Sequence, residues 1–315
     1  MRRLKMPGKV FISCGQREGR EKEIANRVAK LLGNDFNLTP YLAFEIQSLD
    51  DIMAITKQLS SSDYFIFIDF LRDIKNSKQD LPISLFTHQE LALAHHLGFG
   101  ENIIALRERG VPEREGFIWY VQSNPEFFGR NNDDELIEIL KRKIKDKCWT
   151  SEFSRHLVIN NPKLTDPFFY TDHTGRYYQR VWEVRVDNRR SDIAAVDTVC
   201  ILDKIENNGE LIEPHDRTYL KWSGQKGYRQ TILSNDYGKL AIFAINAEKP
   251  GIFLNSLQDI TPRRAIIDAD GDYKLGYKLF SQGLPLVEFQ VKVKYRWVPP
   301  SKIKWPLKTT AMIVW

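Results

Sequence analysis

In the stretch SLFTHQELALAHHLG, residues 84–98, one side chain breaks an otherwise regular pattern. Phe86, Leu93, Ala94 and Leu97 recur at the spacing of one helix face, and Glu90 falls on that same face, a turn after Phe86 and a turn before Leu93 and Ala94. A carboxyl group in an apolar stripe is costly unless it is paired or hydrogen-bonded. One reading is architectural: Glu90 reaches the edge of a sheet, bonds backbone amides, or pairs with an arginine such as Arg72 or Arg107. The other is chemical. An acid partly shielded from water, with the hydroxyls of Ser84 and Thr87 beside it, suits a sugar, where a carboxylate stabilises the positive charge that builds as a glycosidic bond breaks.

Other residues could join such a site. Ser13, Cys14, Gly15 and Gln16 form a strand-to-helix loop able to meet a ribose or pyrophosphate, with Gly15 permitting close approach of the backbone. Phe44 could stack on a base, and Asp69 and Phe70 end a third apolar run. Arg17 and Arg20 could meet phosphate or solvent equally well. Each has a plainer reading as turn, core or surface, and so do Phe127 and Phe128. Cys14, Cys148 and Cys200 are odd in number and form no CxxC pair, which reads as free thiols in a reducing compartment, with Cys14 expected at the surface. His88, His95 and His96 lack the spacing of a metal site and are expected on a solvated face; no metal is expected. Neither GxGxxG nor a Walker loop occurs, which leaves dehydrogenase and NTPase chemistry without support.

The elements that must hold these residues alternate over 9–147. KVFISCG, NLTPYLAF, DYFIFIDF, ENIIALRERG and GFIWYVQS read as strands, Pro40 pointing to an edge position or an interruption in the second. GREKEIANRVAKLLGN reads as a helix stopped at Gly33 and Asn34, SLDDIMAITKQLSSS as one capped by Ser48, and NDDELIEILKRKIKDK as a closing helix with acids first and bases last. Strand alternating with helix predicts a flavodoxin-like, five-stranded parallel sheet covered on both faces, with ligands bound beyond the carboxyl ends of its strands. From about residue 152 the period becomes two, and short strands separated by Gly, Asn, Asp and Pro predict an immunoglobulin-like β-sandwich, with KIKWPLKTTAMIVW as its last docked strand. The expected domains are 1–150 and 151–315.

The chain of 315 residues is long enough for two cores, and 42% hydrophobic residues describe a folded protein. A net charge of +5, with acids interspersed among the bases, implies no nucleic-acid partner. The apolar run after MRRLKMPG is too short for a signal peptide or a membrane span, so a cytoplasmic protein is expected.

Over roughly residues 8–147 the sequence resembles a TIR domain (Toll/interleukin-1 receptor type) of the prokaryotic, NAD-cleaving branch. KVFIS at 9–13 matches the opening strand, and SLFTHQEL at 84–91 matches the helical motif S-x-W-C-x-x-E-L. Ser84 stands at the serine, Phe86 at the tryptophan, Thr87 at the cysteine, Glu90 at the catalytic glutamate and Leu91 at the leucine. Phe for Trp keeps an aromatic; Thr for Cys departs from the motif but keeps a small side chain. ELALAHHLG, together with Phe44 and Glu45, is also similar to nucleoside deoxyribosyltransferase-like proteins, which share a wound sheet and a helical glutamate. Both resemblances imply cleavage of an N-glycosidic bond. The first implies an NAD glycohydrolase with Glu90 catalytic, NAD as substrate with no further cofactor, and release of ADP-ribose or a cyclised form. It also implies a role in antiviral immunity and homo-oligomers formed through TIR–TIR contacts, with AFEIQSLDD as the contact loop. The sandwich is then a binding or regulatory module for an unknown trigger. A nucleoside or nucleotide N-glycosidase and a non-enzymatic TIR scaffold remain as alternatives.

Overall fold

The structure, a computed structural model, describes residues 8–15, 19–42, 49–71, 84–111, 125–172, 175–212, 218–225, 227–247, 249–254, 265–297 and 310–314. The chain divides into two compact units, Met1–Arg155 and His156–Trp315.

The first unit is α/β. Strands β1 (Lys9–Cys14), β2 (Thr39–Leu42), β3 (Tyr64–Asp69), β4 (Ile103–Glu108) and β5 (Glu126–Phe128) form a parallel sheet in the order β2-β1-β3-β4-β5 among the described residues. Helices α1 (Gly19–Phe36), α2 (Leu49–Ser60), α3 (Leu85–His96) and α4 (Asp133–Asp146) connect and cover them. Period-two alternation sorts the strand residues into two layers. Val10, Ile12, Tyr64, Ile66, Ile68, Ile104 and Leu106 pack with α1 and α4, while Phe11, Phe65, Phe67, Ile103 and Ala105 pack with α2 and α3. β3 and β4 are buried along their whole length, as strands covered on both faces must be.

The expected strands and helices fall where their periods place them, with differences at particular ends. Pro40 lies on β2, an edge strand. α1 does not stop at Gly33 and Asn34 but continues to Phe36, because Leu31, Leu32 and Phe36 pack into the core; Asn37 then takes the left-handed turn with φ 52°. The expected strand GFIWYVQS, residues 116–123, and the Ser48 cap lie outside the described residues. The strand pairing with β4 is Glu126–Phe128, a stretch with too few residues to show a period. Around α4, Asn132 accepts from the Glu135 amide and acids fill the first turn, as the sequence implied.

The second unit is all β in its described residues. A six-stranded antiparallel sheet is built on Gly175–Asp187 and Tyr237–Asn246, and a seven-stranded one on Ala195–Asn207, Gly271–Gln282 and Leu284–Tyr295. Both contribute to one core, with Trp222, Phe243, Tyr277 and Tyr295 among its largest members. Thr310–Val314 pairs with Leu284–Tyr295, so the apolar last stretch does dock as a strand. AIIDA, expected as a strand, contributes only a single bridge from Ile267 to Ile252. No helix among the described residues is long and apolar enough to cross a membrane.

Candidate active site

Alternation along β1 sends Phe11 and Ser13 toward α3, and Val10, Ile12 and Cys14 toward α1. On α3, the fully covered stripe is Thr87, Leu91 and Ala94, with Phe86, Leu93 and Leu97 partly buried along one flank. Glu90 lies between stripe and flank and is only 5% exposed. Its Oε2 accepts a 2.5 Å hydrogen bond from Ser13 Oγ, which is itself fully buried. Its Oε1 is also closed off from solvent and accepts no hydrogen bond among the described residues. Burial pushes the Glu90 carboxyl up to about 8, against the smaller opposing effect of the Ser13 hydrogen bond. The neighbouring Tyr41 phenol is raised by burial and then by the Glu90 charge.

This pair sits at the place where the strand order reverses. β2 lies on one side of β1 and β3 on the other, and α3 packs across both β1 and β3. Crevices at that switch point, beyond the carboxyl ends of the strands, are where wound sheets bind ligands.

Glu90 has no arginine partner among the described residues. Arg107 instead donates from Nε to Asp69 Oδ2 at 3.1 Å, both side chains buried, and His88 Nε2 stands 3.5 Å from the same oxygen. Asp69, expected among the binding residues, is thus the centre of a buried polar cluster, and only its Oδ1 accepts no hydrogen bond among the described residues. His88, expected on a solvated face, packs edge-on against Phe67 in the interior, while His95 and His96 are exposed.

Several other expectations are corrected. Ser84 and Thr87 build the start of α3. Ser84 is its N-cap, accepting from the Thr87 amide at 3.5 Å, and Thr87 Oγ1 donates back to the Ser84 carbonyl at 2.9 Å. Both side chains take part in the cap, which fixes where Glu90 emerges one turn later. Cys14 is buried, because it points to the α1 layer; desolvation first, then Glu21 and Glu90, push its thiol up to about 12, which disfavours the thiolate. The exposed thiol is Cys148. Phe70 is core, edge-on to Phe128 on the face opposite Glu90. Gly15 is buried directly beyond β1. Gln16, Arg17, Phe44 and Arg72 lie outside the described residues.

Arg20, expected at phosphate or in solvent, is instead held by two acids. It bonds Glu108 at 2.9 Å and Asp133 at 2.7 Å, which raises its guanidinium further despite partial burial. Glu108, fully buried, also accepts from the amides of Leu71 and Asn131, tying together α1, the segment after β3 and the approach to α4. Sequence reasoning missed this network, along with Tyr41, Glu21 and the Asp69–Arg107–His88 cluster. Their partners lie far apart in the chain, 88 residues for Arg20 and Glu108, so no local spacing reveals them. Among the described residues no group of three or more His, Cys, Asp or Glu could hold a metal ion.

No protein-family model matches the chain, and no curated protein does. Among solved structures, a Northeast Structural Genomics Consortium target aligns with 49% of this chain and 84% of its own, at 12% identity and a TM-score of 0.22. A β-glucosidase of Erythrobacter marinus aligns with 91% of this chain at 9% identity and a TM-score of 0.28, this chain spanning about half (47%) of its length. A β-glucosidase of Kluyveromyces marxianus in complex with glucose aligns with 78% of this chain and 34% of its own, at 12% identity and a TM-score of 0.23. Likenesses this slight carry no argument about activity.

Proposed function

We propose that the first unit is a flavodoxin-like domain of TIR type that cleaves the nicotinamide–ribose bond of NAD, with Glu90 as its catalytic residue. The observation that carries this reading is a buried carboxyl group with one oxygen unpartnered among the described residues, at the switch point of a wound sheet. The resemblance of SLFTHQEL to the TIR motif supports it further, since that motif runs from the Ser84 cap into α3 and has this acid as its next-to-last residue.

Nicotinamide departs as a neutral molecule and takes the electron pair of the C1′–N bond, so no general acid is required. Positive charge then develops on the ribose ring, and the Glu90 carboxylate stabilises it electrostatically in a poorly solvated site. Water adds to C1′ and releases one proton, giving ADP-ribose; attack by the adenine ring instead gives a cyclised product. Glu90 is closed to solvent in this state, so substrate entry requires the surrounding chain to open. Opening is the step at which assembly through TIR–TIR contacts, or a trigger bound by the immunoglobulin-like second unit, would act. The resemblance extends this to a cytoplasmic role in antiviral defence.

The reaction requires the carboxylate, and a carboxyl raised to about 8 is mostly protonated at pH 7. The kcat/KM for NAD is therefore expected to climb about tenfold per pH unit below 8 and to level off above it. An acid limb near the ordinary carboxyl range, around pH 4, would contradict the assignment. Product separation by chromatography, with NAD and free nucleosides offered side by side, distinguishes this activity from a nucleoside N-glycosidase: nicotinamide from NAD is expected, and turnover of free nucleosides alone would transfer the site to that class.

A further inference from the structure

Glu90 and Ser13 are 77 residues apart in the chain, one on a helix and one on a strand, and their side chains meet at 2.5 Å. Ser13 is fully buried, and its hydroxyl has a single proton, which it donates to Glu90 Oε2. That proton is unavailable to a substrate while the bond stands. The bond fixes something the glutamate does not fix by itself. Rotation about the last torsion of a glutamate is broad and roughly two-fold, so an unrestrained carboxyl group spreads both oxygens over many directions. With Oε2 held by Ser13, the plane of the group is set and Oε1 is left as the oxygen without a partner among the described residues.

On the reading of Glu90 as the acid that faces the ribose, we infer that Ser13 is a positioning residue for Glu90, its hydroxyl holding Oε2 so that Oε1 alone is presented to the reacting sugar. Ser13 does not touch the substrate. It acts on orientation, and it also acts on ionisation, because a hydrogen bond to the charged form favours that form. Among the described residues it is the group that opposes the upward push of burial on the Glu90 carboxyl.

The two effects separate in experiment. In Ser13→Ala, kcat for NAD at pH 7 is expected to fall tenfold or more with KM nearly unchanged, and the acid limb of the rate profile to move to higher pH. Ser13→Thr keeps the hydroxyl on a residue suited to strands and is expected to restore both. A second readout needs no turnover. Full-length protein labelled with 13C at the glutamate carboxyls is titrated by NMR, the Glu90 resonance being identified by its loss in Glu90→Gln. An upward move of its midpoint by about one pH unit in Ser13→Ala, reversed in Ser13→Thr, supports the inference. A midpoint identical in wild type and Ser13→Ala overturns it, and so does a loss confined to KM, which would make Ser13 a substrate contact. If the midpoint moves as described but no form of the protein cleaves NAD, the positioning role stands and the N-glycosidase reading falls. Urea unfolding of each variant guards against a trivial loss of fold.

Discussion

A buried acid without a full set of partners costs stability, and that cost has a pH signature. Glu90 ionises near 4.5 in the unfolded chain and at about 8 in the folded one. The folded state therefore holds a proton that the unfolded state releases between those values. The favourable contribution of the protonated group is complete below pH 4.5, is lost as pH rises, and is gone above about 8; the loss is at most on the order of 5 kcal/mol. Glu90→Gln keeps the shape and never ionises. Its melting temperature is expected to match wild type near pH 4.5 and to exceed it increasingly up to pH 8, with no further change above. Thermal melts across that range check this, and a gap that does not vary with pH would contradict it. Glu90 was legible in the sequence because it interrupts a periodic stripe. Ser13 was legible as a candidate only, since its partner is on another element, and the pairing of Asp69 with Arg107 and of Glu108 with Arg20 was not legible, because it is made through tertiary structure.

At the scale of the elements, the site depends on where α3 sits. Its start is fixed by the Ser84 cap and its end by Arg155. That guanidinium, almost wholly buried, donates to the carbonyl of Leu97 just beyond α3 at 2.7 Å, to Ser62 at 3.0 Å and to Ser60 at the end of α2 at 3.4 Å, and it lies 3.5 Å over the Phe99 ring. Its amide and Ser154 Oγ both donate to Asp63. A single cation thus closes the carboxyl ends of two helices, where its charge is favoured. Arg155→Ala leaves these buried carbonyls unmatched and is expected to cost about 3 kcal/mol; Arg155→Lys recovers little of it, because one ammonium cannot span the three carbonyls. Urea denaturation measures this, and a cost under about 0.5 kcal/mol, the range of an ordinary surface change, would show that α3 is held without it. Strand and helix periods were readable along the chain because each buries one repeating face. The helix ends were less so: α1 runs through Gly33 since burial of Leu32 and Phe36 outweighs the local cost of one glycine. Nothing in SEFSRHL marks its arginine as interior.

At the scale of the whole molecule, the chain holds two units of different class. The first keeps Trp149 and Phe153 against Tyr64, with ring centroids 4.4 Å and 5.2 Å away, which carries it past the closing helix to Arg155. The change of period near residue 152 was visible because strands and helices bury apolar residues at different intervals; which sheet each later strand joins was not, since antiparallel pairing is decided by partners distant in sequence. If assembly opens the Glu90 site, turnover per mole of protein is expected to rise with protein concentration, and a specific activity constant over a hundredfold dilution would exclude that form of control. The most direct measurement is nicotinamide release from NAD by the full chain and by Glu90→Gln, at high protein concentration with a crowding agent present. Release by wild type, reduced at least a hundredfold in a folded Glu90→Gln, is the expected result. Equal release by the two proteins would contradict the assignment of Glu90 as the catalytic carboxylate.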